Sequence, residues 1–159
     1  MLPSLHTTTL QWLYEVLSPT EIVWALTGST SFALQGLAVT PHDIDIQTDA
    51  PGAYVIERYL SAYVTRPVAF SSAQNIRSHF GRFAIDGLVV EVMGDIQKRQ
   101  ADGTWQPSVP LKRYINYIVY QEMRLPVLSL AYEYQAYLML GRIERARMIE
   151  EYLQKNRKR

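Results

Sequence analysis

Two aspartates stand one residue apart in this chain, Asp43 and Asp45, and the dipeptide Gly28 and Ser29 precedes them by thirteen residues. Successive side chains of a β-strand point to opposite faces, so both aspartates project together while Ile44 faces the other way. Two neighbouring carboxylates repel each other unless a cation lies between them. The pair therefore predicts a site for a divalent cation.

The dipeptide Gly28 and Ser29 follows a short apolar run, residues 22–26, that predicts a buried strand. A turn of this kind offers backbone N–H groups, a hydroxyl and the positive end of a helix dipole to an anion. We expect a triphosphate to bind here and to meet the cation of Asp43 and Asp45 in one cleft. The alternative is a tight strand-to-helix turn with an N-cap.

A third carboxylate, Glu91, lies in a predicted hairpin, residues 80–93, whose turn is Asp86 and Gly87. If Ile85 faces Leu88, Arg82 faces Glu91. The core side of the hairpin then carries Phe83, Ile85, Leu88, Val90 and Val92. The other side carries Arg82, Ala84, Val89, Glu91, Met93 and Asp95. Glu91 is thus available off the apolar face, with a salt bridge to Arg82, worth ~0.2–1 kcal/mol, as the alternative role.

The remaining hydrophobic patterns predict the elements that position these residues. Helices are predicted over residues 9–17, 31–37 and 49–63, strands over 22–26, 43–47 and 114–120, and a loop over 94–110. From residue 130 to about 153 the helical spacing predicts either a helical hairpin or one long kinked helix. The chain thus opens as strand-helix-strand-helix, and we expect an α/β (α+β) fold, a mixed β-sheet flanked by helices with a helical C-terminal segment.

The composition is that of a globular protein, with 48% hydrophobic and 19% charged residues and a net charge of +1. We expect one domain over residues 1–159, with its core at about 20–120 and its C-terminal helices at about 128–155. The chain has no cysteine, which excludes disulfides and thiolate chemistry. No stretch approaches the ~20 apolar residues that span a bilayer, so we expect a cytoplasmic protein without membrane contact.

Other chemically capable side chains carry weaker signals. His6, His42 and His79 are too scattered to indicate a histidine-based metal site. The tyrosines Tyr132, Tyr134 and Tyr137 have the helical spacing of core residues, with stacking on a base as the alternative. The arginines Arg142, Arg145 and Arg147, together with the basic tail of residues 155–159, are interpreted as a solvated helix end, with a phosphate or RNA contact as the alternative.

Three segments of the chain resemble the signature elements of the nucleotidyltransferase superfamily related to DNA polymerase beta. They are Thr27, Gly28 and Ser29; residues 42–46; and residues 89–92 around Glu91. The match covers residues ~20–95 and includes element order and spacing. The short chain is also similar to minimal nucleotidyltransferases of bacteria and archaea, and residues 31–36 are similar to small uncharacterised members from thermophiles. The resemblance implies the nucleotidyltransferase fold.

The resemblance also implies a reaction, in which a nucleoside monophosphate, AMP from ATP or its equivalent from another NTP, moves to a hydroxyl acceptor and pyrophosphate leaves. Asp43 and Asp45 would hold Mg²⁺ or Mn²⁺, and Gly28 and Ser29 would bind the nucleotide. Glu91 would complete the metal site or take the proton of the acceptor. The acceptor stays open between a small molecule, a protein and an RNA 3′ end.

Two rival functions use the same fold. One is an antitoxin-like interaction protein that acts by binding a partner protein, and the other is a nucleotide-sensing module that binds without transfer. A partner protein or a homo-oligomer fits the first of these. Retention of Asp43, Asp45 and Glu91 together with Gly28 and Ser29 favours an enzyme.

Overall fold

The computed structural model of the protein describes residues 1–157, so Lys158 and Arg159 of the predicted basic tail lie outside the described residues. The helices are α1 (Ser4–Leu17), α2 (Gly28–Leu34), α3 (Ala50–Tyr59), α4 (Leu130–Met139) and α5 (Ile143–Arg157). The strands are β1 (Trp24–Thr27), β2 (Ile44–Thr48), β3 (Val64–Ser72), β4 (Ile76–Ile85), β5 (Leu88–Lys98), β6 (Ile115–Tyr120) and β7 (Met123–Leu128). Short 3₁₀ turns occupy Ser61–Tyr63 and Leu111–Tyr114.

All seven strands form one mixed sheet in the order β3-β4-β5-β2-β1-β7-β6. β2 runs parallel to β5 and β1 runs parallel to β7, whereas the other neighbours are antiparallel. Helices α1 and α3 contribute to the main core together with the apolar side chains of the central strands. α2, α4 and α5 build a second apolar cluster around Phe32 and Ile149. The predicted mixed sheet with helices and a helical C-terminal segment is confirmed.

The predicted hairpin register is also confirmed. Ile85 pairs with Leu88 and Arg82 pairs with Glu91 across β4 and β5. The five side chains assigned to the core side, Phe83, Ile85, Leu88, Val90 and Val92, are all buried. Both strands extend beyond the predicted range, because β4 begins at Ile76 and β5 continues to Lys98.

The predicted loop over residues 94–110 is wrong in its first part, which belongs to β5. The β4–β5 register shifts by one residue next to Gly94, and Asp95 has a φ of +52°. Such a bulge reverses which side chains face each side of the strand. Lys98 therefore lines the same cavity as Glu91, although an uninterrupted alternation would place these two residues on opposite faces.

Strand β7 was not predicted, although it lies between the predicted outer strand β6 and the central strand β1. Pro126 within β7 argues against a strand in the interior of a sheet. The turn that joins β6 to β7 consists of Gln121 and Glu122, whose φ values are +47° and +68°. A two-residue turn with both φ values positive is normally marked by asparagine and glycine, so the sequence lacked the usual hairpin signal.

The helices differ from prediction mainly at their ends. α1 begins at Ser4, five residues earlier than predicted, and α2 spans Gly28–Leu34 rather than residues 31–37. α3 ends at Tyr59 and a 3₁₀ turn covers Ser61–Tyr63, so the predicted end at residue 63 merges two elements. The C-terminal helices are separated by Gly141, with a φ of +74°, which confirms the helical hairpin of the two predicted alternatives.

No helix within residues 1–157 combines the length and the apolar character needed to cross a lipid bilayer.

Gly94 is expected to be intolerant of a side chain, because a Cβ there would lie 2.6 Å from the backbone oxygen of Asp49 and 2.8 Å from Cβ of Ala53. We predict that Gly94→Ala lowers the free energy of unfolding by about 1–3 kcal/mol. Urea unfolding followed by circular dichroism measures the change. The control is Gly103→Asn in an exposed loop, where asparagine tolerates the positive φ and only Arg99 is near. Equal stability of the Gly94→Ala variant and the wild type would contradict the packing of α3 on β5.

Candidate active site

Two of the three predicted acids lie side by side on the sheet. Asp45 of β2 and Glu91 of β5 are register partners on adjacent parallel strands. Neighbouring strands are about 4.8 Å apart, so partner side chains on one face adjoin each other. Asp43 stands immediately before β2, which begins at Ile44 and not at Asp43 as predicted. The sequence therefore brings Asp43, Asp45 and Glu91 to one region of the sheet, as expected from strand alternation.

The electrostatics of Asp45 reflect this crowding. Burial raises the pKa of the Asp45 carboxyl to about 7, and the negative charges of Glu91 and Asp43 raise the same pKa further. Arg145 of α5 acts in the opposite direction. A cluster of acids that destabilises its own ionised form gains free energy when a cation binds to it.

The turn from β1 to α2 adjoins Asp45 directly. α2 begins at Gly28, whose φ is +73°, and a Cβ at this position would collide with Oδ2 of Asp45. Glycine is required here both for the backbone conformation and for this close approach. The predicted adjacency of the Gly28 turn and the acid pair is thus observed.

Ser29 has a different place from the one expected. Its side chain is buried and does not line the cavity, and its Oγ accepts a hydrogen bond from the backbone N–H of His42 at 2.9 Å. Thr30 Oγ1 donates to the backbone oxygen of Asp43 at 2.8 Å. Both residues therefore tie α2 to the segment that leads into Asp43. The part of this turn that lies open to the cavity is Gly28.

A cavity of about 270 Å³ lies beside these groups. Gly28, Asp45 and Glu91 are among its polar lining residues, and α4 and the turn before α5 also contribute to its lining. Its apolar lining comprises Ile76, Met93, Ile96, Ala136 and Leu140. Tyr137 also lines the cavity. It is buried against Phe32, so it is a core residue, as predicted. The cavity therefore has both charged and apolar lining residues.

Glu133 of α4 is a site residue that the sequence did not indicate. It is 3% exposed, and its Oε1 accepts a hydrogen bond from Thr27 Oγ1. Burial raises the pKa of Glu133 to about 7, opposed by hydrogen bonds from Thr27 and the backbone of Gly28 and by the charge of Lys98. An acid in an amphipathic helix usually belongs to its solvated face, so no sequence signal distinguished Glu133.

Lys98 is the second unpredicted residue, because the bulge of β5 brings it into the cavity. The side chain is buried, and its Nζ lies 3.5 Å from the hydroxyl of Tyr132. Burial lowers the pKa of Lys98, and the charge of Glu133 opposes this shift. The ring of Tyr132 stacks on Tyr114, with 4.5 Å between the ring centroids. Lys98 Nζ lies 5.4 Å from the centroid of the Tyr132 ring.

The alternative role of Glu91, a cross-strand salt bridge, is also present. Arg82 Nη2 lies 3.5 Å from Glu91 Oε1, with 43% of the arginine side chain exposed. The Glu91 side chain is only 21% exposed, but the bond is long for a salt bridge, and partly exposed pairs of this kind contribute ~0–1 kcal/mol. The bridge therefore leaves Glu91 able to bind a cation.

The carboxylates of the site would fit a divalent cation whose other ligands come from the phosphates of a substrate. Among residues 1–157, no group of three or more histidine, cysteine or acidic side chains forms a preassembled metal site. Mg²⁺ is commonly bound by one or two carboxylates, with phosphate oxygens and water as the other ligands. Asp45 with Asp43 or Glu91 supplies such a pair, and burial together with the charges of Glu91 and Asp43 makes the ionised form of Asp45 unfavourable without a cation.

The fold and this arrangement of carboxylates beside a glycine turn define the protein as a nucleotidyltransferase. More narrowly, the chain belongs to the aminoglycoside-2″-adenylyltransferase family, whose model matches residues 9–151. The resemblance inferred from the sequence is confirmed.

Two solved structures are similar to the chain. The first is TM1012 from Thermotoga maritima, provisionally assigned as a nucleotidyltransferase, with 50% identity, a TM-score of 0.86 and coverage of 98% of this chain and 96% of that one. The second is the lincosamide antibiotic adenylyltransferase LnuA, solved with lincomycin bound, with 13% identity, a TM-score of 0.58 and coverage of 94% and 97%. The second likeness shows the fold alone. No curated protein matches the chain.

Replacement of Asp45 by asparagine is expected to stabilise the metal-free protein at pH 8. The pKa of Asp45 is raised to about 7, so the folded state keeps a proton that the unfolded state releases above about pH 4. Stability therefore falls as the pH rises through this window. We predict that Asp45→Asn raises Tm by roughly 2–4 °C at pH 8, and by less at pH 5, where aspartate is already neutral.

Thermal melts with a chelator present measure this difference. A lower Tm for the Asp45→Asn variant at both pH values would contradict the proposed crowding of Asp45 by Glu91 and Asp43.

Proposed function

We propose that the protein transfers AMP from ATP, with a bound divalent cation, to a hydroxyl group of a small molecule and releases pyrophosphate. The observation that carries this proposal is the register pairing of Asp45 with Glu91 beside Gly28. The family of the chain supports adenylyl transfer, and the cavity of about 270 Å³ supports a small acceptor. The family description and the antibiotic bound by LnuA make hydroxylated antibiotics the first acceptors to test.

In this proposal Asp43 and Asp45 hold Mg²⁺ or Mn²⁺ against the triphosphate. The bound cation would stabilise the charge that develops on the phosphate oxygens as the acceptor oxygen bonds to the α-phosphorus and the bond to pyrophosphate breaks. Gly28 permits the close approach of the phosphates to Asp45. Ser29 supports the turn and the segment of Asp43 through its bond to His42.

Glu91 has two roles that its position supports equally. As a third carboxylate beside Asp45 it completes the cation site, and as a free carboxylate it accepts the proton of the acceptor hydroxyl. In either role, loss of its charge lowers the rate of transfer.

Loss of Asp45 or Asp43 is predicted to abolish transfer while the fold is kept. Asp45→Asn and Asp43→Asn should each lower kcat/KM by at least about 100-fold, because the cation loses a charged ligand. The assay follows transfer of label from α-labelled ATP to a panel of aminoglycosides and lincosamides, with and without Mg²⁺. The matched control is Asp86→Asn in the hairpin turn, where asparagine tolerates the φ of +50°.

The same assay distinguishes the rival functions. Metal-dependent binding of ATP without release of pyrophosphate, on any acceptor or in lysate, would favour a nucleotide sensor. Absence of metal-dependent binding would favour an antitoxin-like protein that acts through a partner. Transfer to protein or RNA in lysate would keep the reaction and replace the small acceptor.

Arg142 supports a phosphate contact at the start of α5. It lines the cavity, is exposed, and lies 5.9 Å from the ring centroid of Tyr137. We predict that Arg142→Gln weakens binding of Mg²⁺-pyrophosphate about 3- to 10-fold, because a charged donor to phosphate is lost. Calorimetric titration measures the affinity, with Arg147→Gln, an exposed residue of α5 outside the cavity, as control, whereas Arg142 lies in the turn immediately before α5. Equal affinities of the two variants would contradict the contact and favour the solvated helix end.

A further inference from the structure

One oxygen of the buried Glu133 carboxylate has no partner. Oε1 accepts a hydrogen bond from Thr27 and the backbone of Gly28 also acts on the carboxyl, whereas Oε2 is fully buried and has no hydrogen-bond partner in the part of the chain that the structure describes. Buried polar atoms are nearly always hydrogen-bonded, and an unpaired carboxylate oxygen is costly. Glu133 lines the same cavity as Asp45 and Glu91. Oε2 of Glu133 is therefore a hydrogen-bond acceptor that a donor group of a ligand could satisfy.

The neighbouring lysine does not supply this donor. Lys98 lines the cavity and acts on Glu133 through its charge, but within residues 1–157 the two do not form a salt bridge. The nearest hydrogen-bonding group to its Nζ is the hydroxyl of Tyr132. Lys98 therefore favours the ionised form of Glu133 and leaves Oε2 free.

The position of Glu133 relative to Asp45 follows from the sheet register. Thr27, which donates to Glu133, is the cross-strand partner of Asp45. Thr27 and Asp45 are thus about one strand spacing, ~5 Å, apart, and the Glu133 carboxylate is hydrogen-bonded to Thr27 on that side. In a nucleotide bound by its phosphates at Asp45, the ribose is joined to the α-phosphate by a single CH₂–O link. The ribose is therefore the neutral part of the nucleotide that lies nearest to Glu133.

We propose that Oε2 of Glu133 accepts a hydrogen bond from a ribose hydroxyl of the bound nucleotide. This inference rests on the proposed function, because it requires a nucleoside triphosphate in the cavity. Carboxylates recognise ribose hydroxyls in the same way at other nucleotide sites. The apolar wall formed by Met93, Ile96, Ala136 and Leu140 offers a surface for the base beyond the sugar.

The test compares ATP, 2′-deoxy-ATP and 3′-deoxy-ATP by calorimetric titration with Mg²⁺. The wild type is expected to bind one of the two deoxynucleotides about 10-fold more weakly than ATP, because a hydrogen bond to a charged acceptor is lost. In the Glu133→Gln variant, the difference in affinity between ATP and that deoxynucleotide should fall to about 2-fold, since the amide keeps the volume of the side chain but not its charge. Glu144→Gln, an exposed acid of α5 outside the cavity, should discriminate as the wild type does.

Two results would overturn the inference: wild-type protein that binds all three nucleotides equally, or a Glu133→Gln variant that discriminates as strongly as the wild type. If Glu133→Gln does not fold, as judged by circular dichroism, Thr27→Val replaces it. Valine keeps the buried volume and releases Oε1, so the same loss of discrimination is expected, and its absence would overturn the inference. Wild-type protein that binds no triphosphate would overturn the proposed function as well, so the two failures are distinguishable.

Discussion

The repulsion between two neighbouring carboxylates, Asp45 and Glu91, is the interaction on which the site depends. Parallel pairing of β2 and β5 fixes the two residues opposite each other. The alternate side chains of these strands, Ile44, Ile46, Val90 and Val92, are fully buried on the opposite face of the sheet. The hydrophobic core therefore holds together two acids that would otherwise separate. Burial of two neighbouring carboxylates destabilises their ionised forms, and in the proposed function a bound cation would offset this cost.

The second half of the site is built by the contact of α4 with the turn at Gly28. Thr27 precedes α2 at its N-cap position and forms no capping bond, and its hydroxyl donates to Glu133. This bond joins the C-terminal hairpin to the end of β1, at the point where Gly28 meets Asp45. The C-terminal helices thereby contribute to the lining of the cavity.

The sequence predicted the parts of the site that depend on local patterns. Alternation around Asp45, and the hairpin turn at Asp86 and Gly87, determined the register that places Glu91 correctly. The parts that depend on tertiary context escaped prediction. The turn of Gln121 and Glu122 adopts positive φ values without glycine, the bulge at Asp95 redirects Lys98, and Glu133 becomes a site residue only because α4 packs over Thr27. The turn lacks the usual glycine or asparagine signal, and the positions of Lys98 and Glu133 depend on neighbours that are distant in sequence.

Crystals of the protein with Mn²⁺ and a non-hydrolysable ATP analogue would test the central claim most directly, since Mn²⁺ is located by its anomalous scattering. The account predicts an anomalous peak about 2.0–2.4 Å from a carboxylate oxygen of Asp45, with a second ligand from Asp43 or Glu91 and the remainder from phosphate. A nucleotide bound in the cavity with Mn²⁺ remote from Asp45, or with no anomalous peak at all, would contradict it.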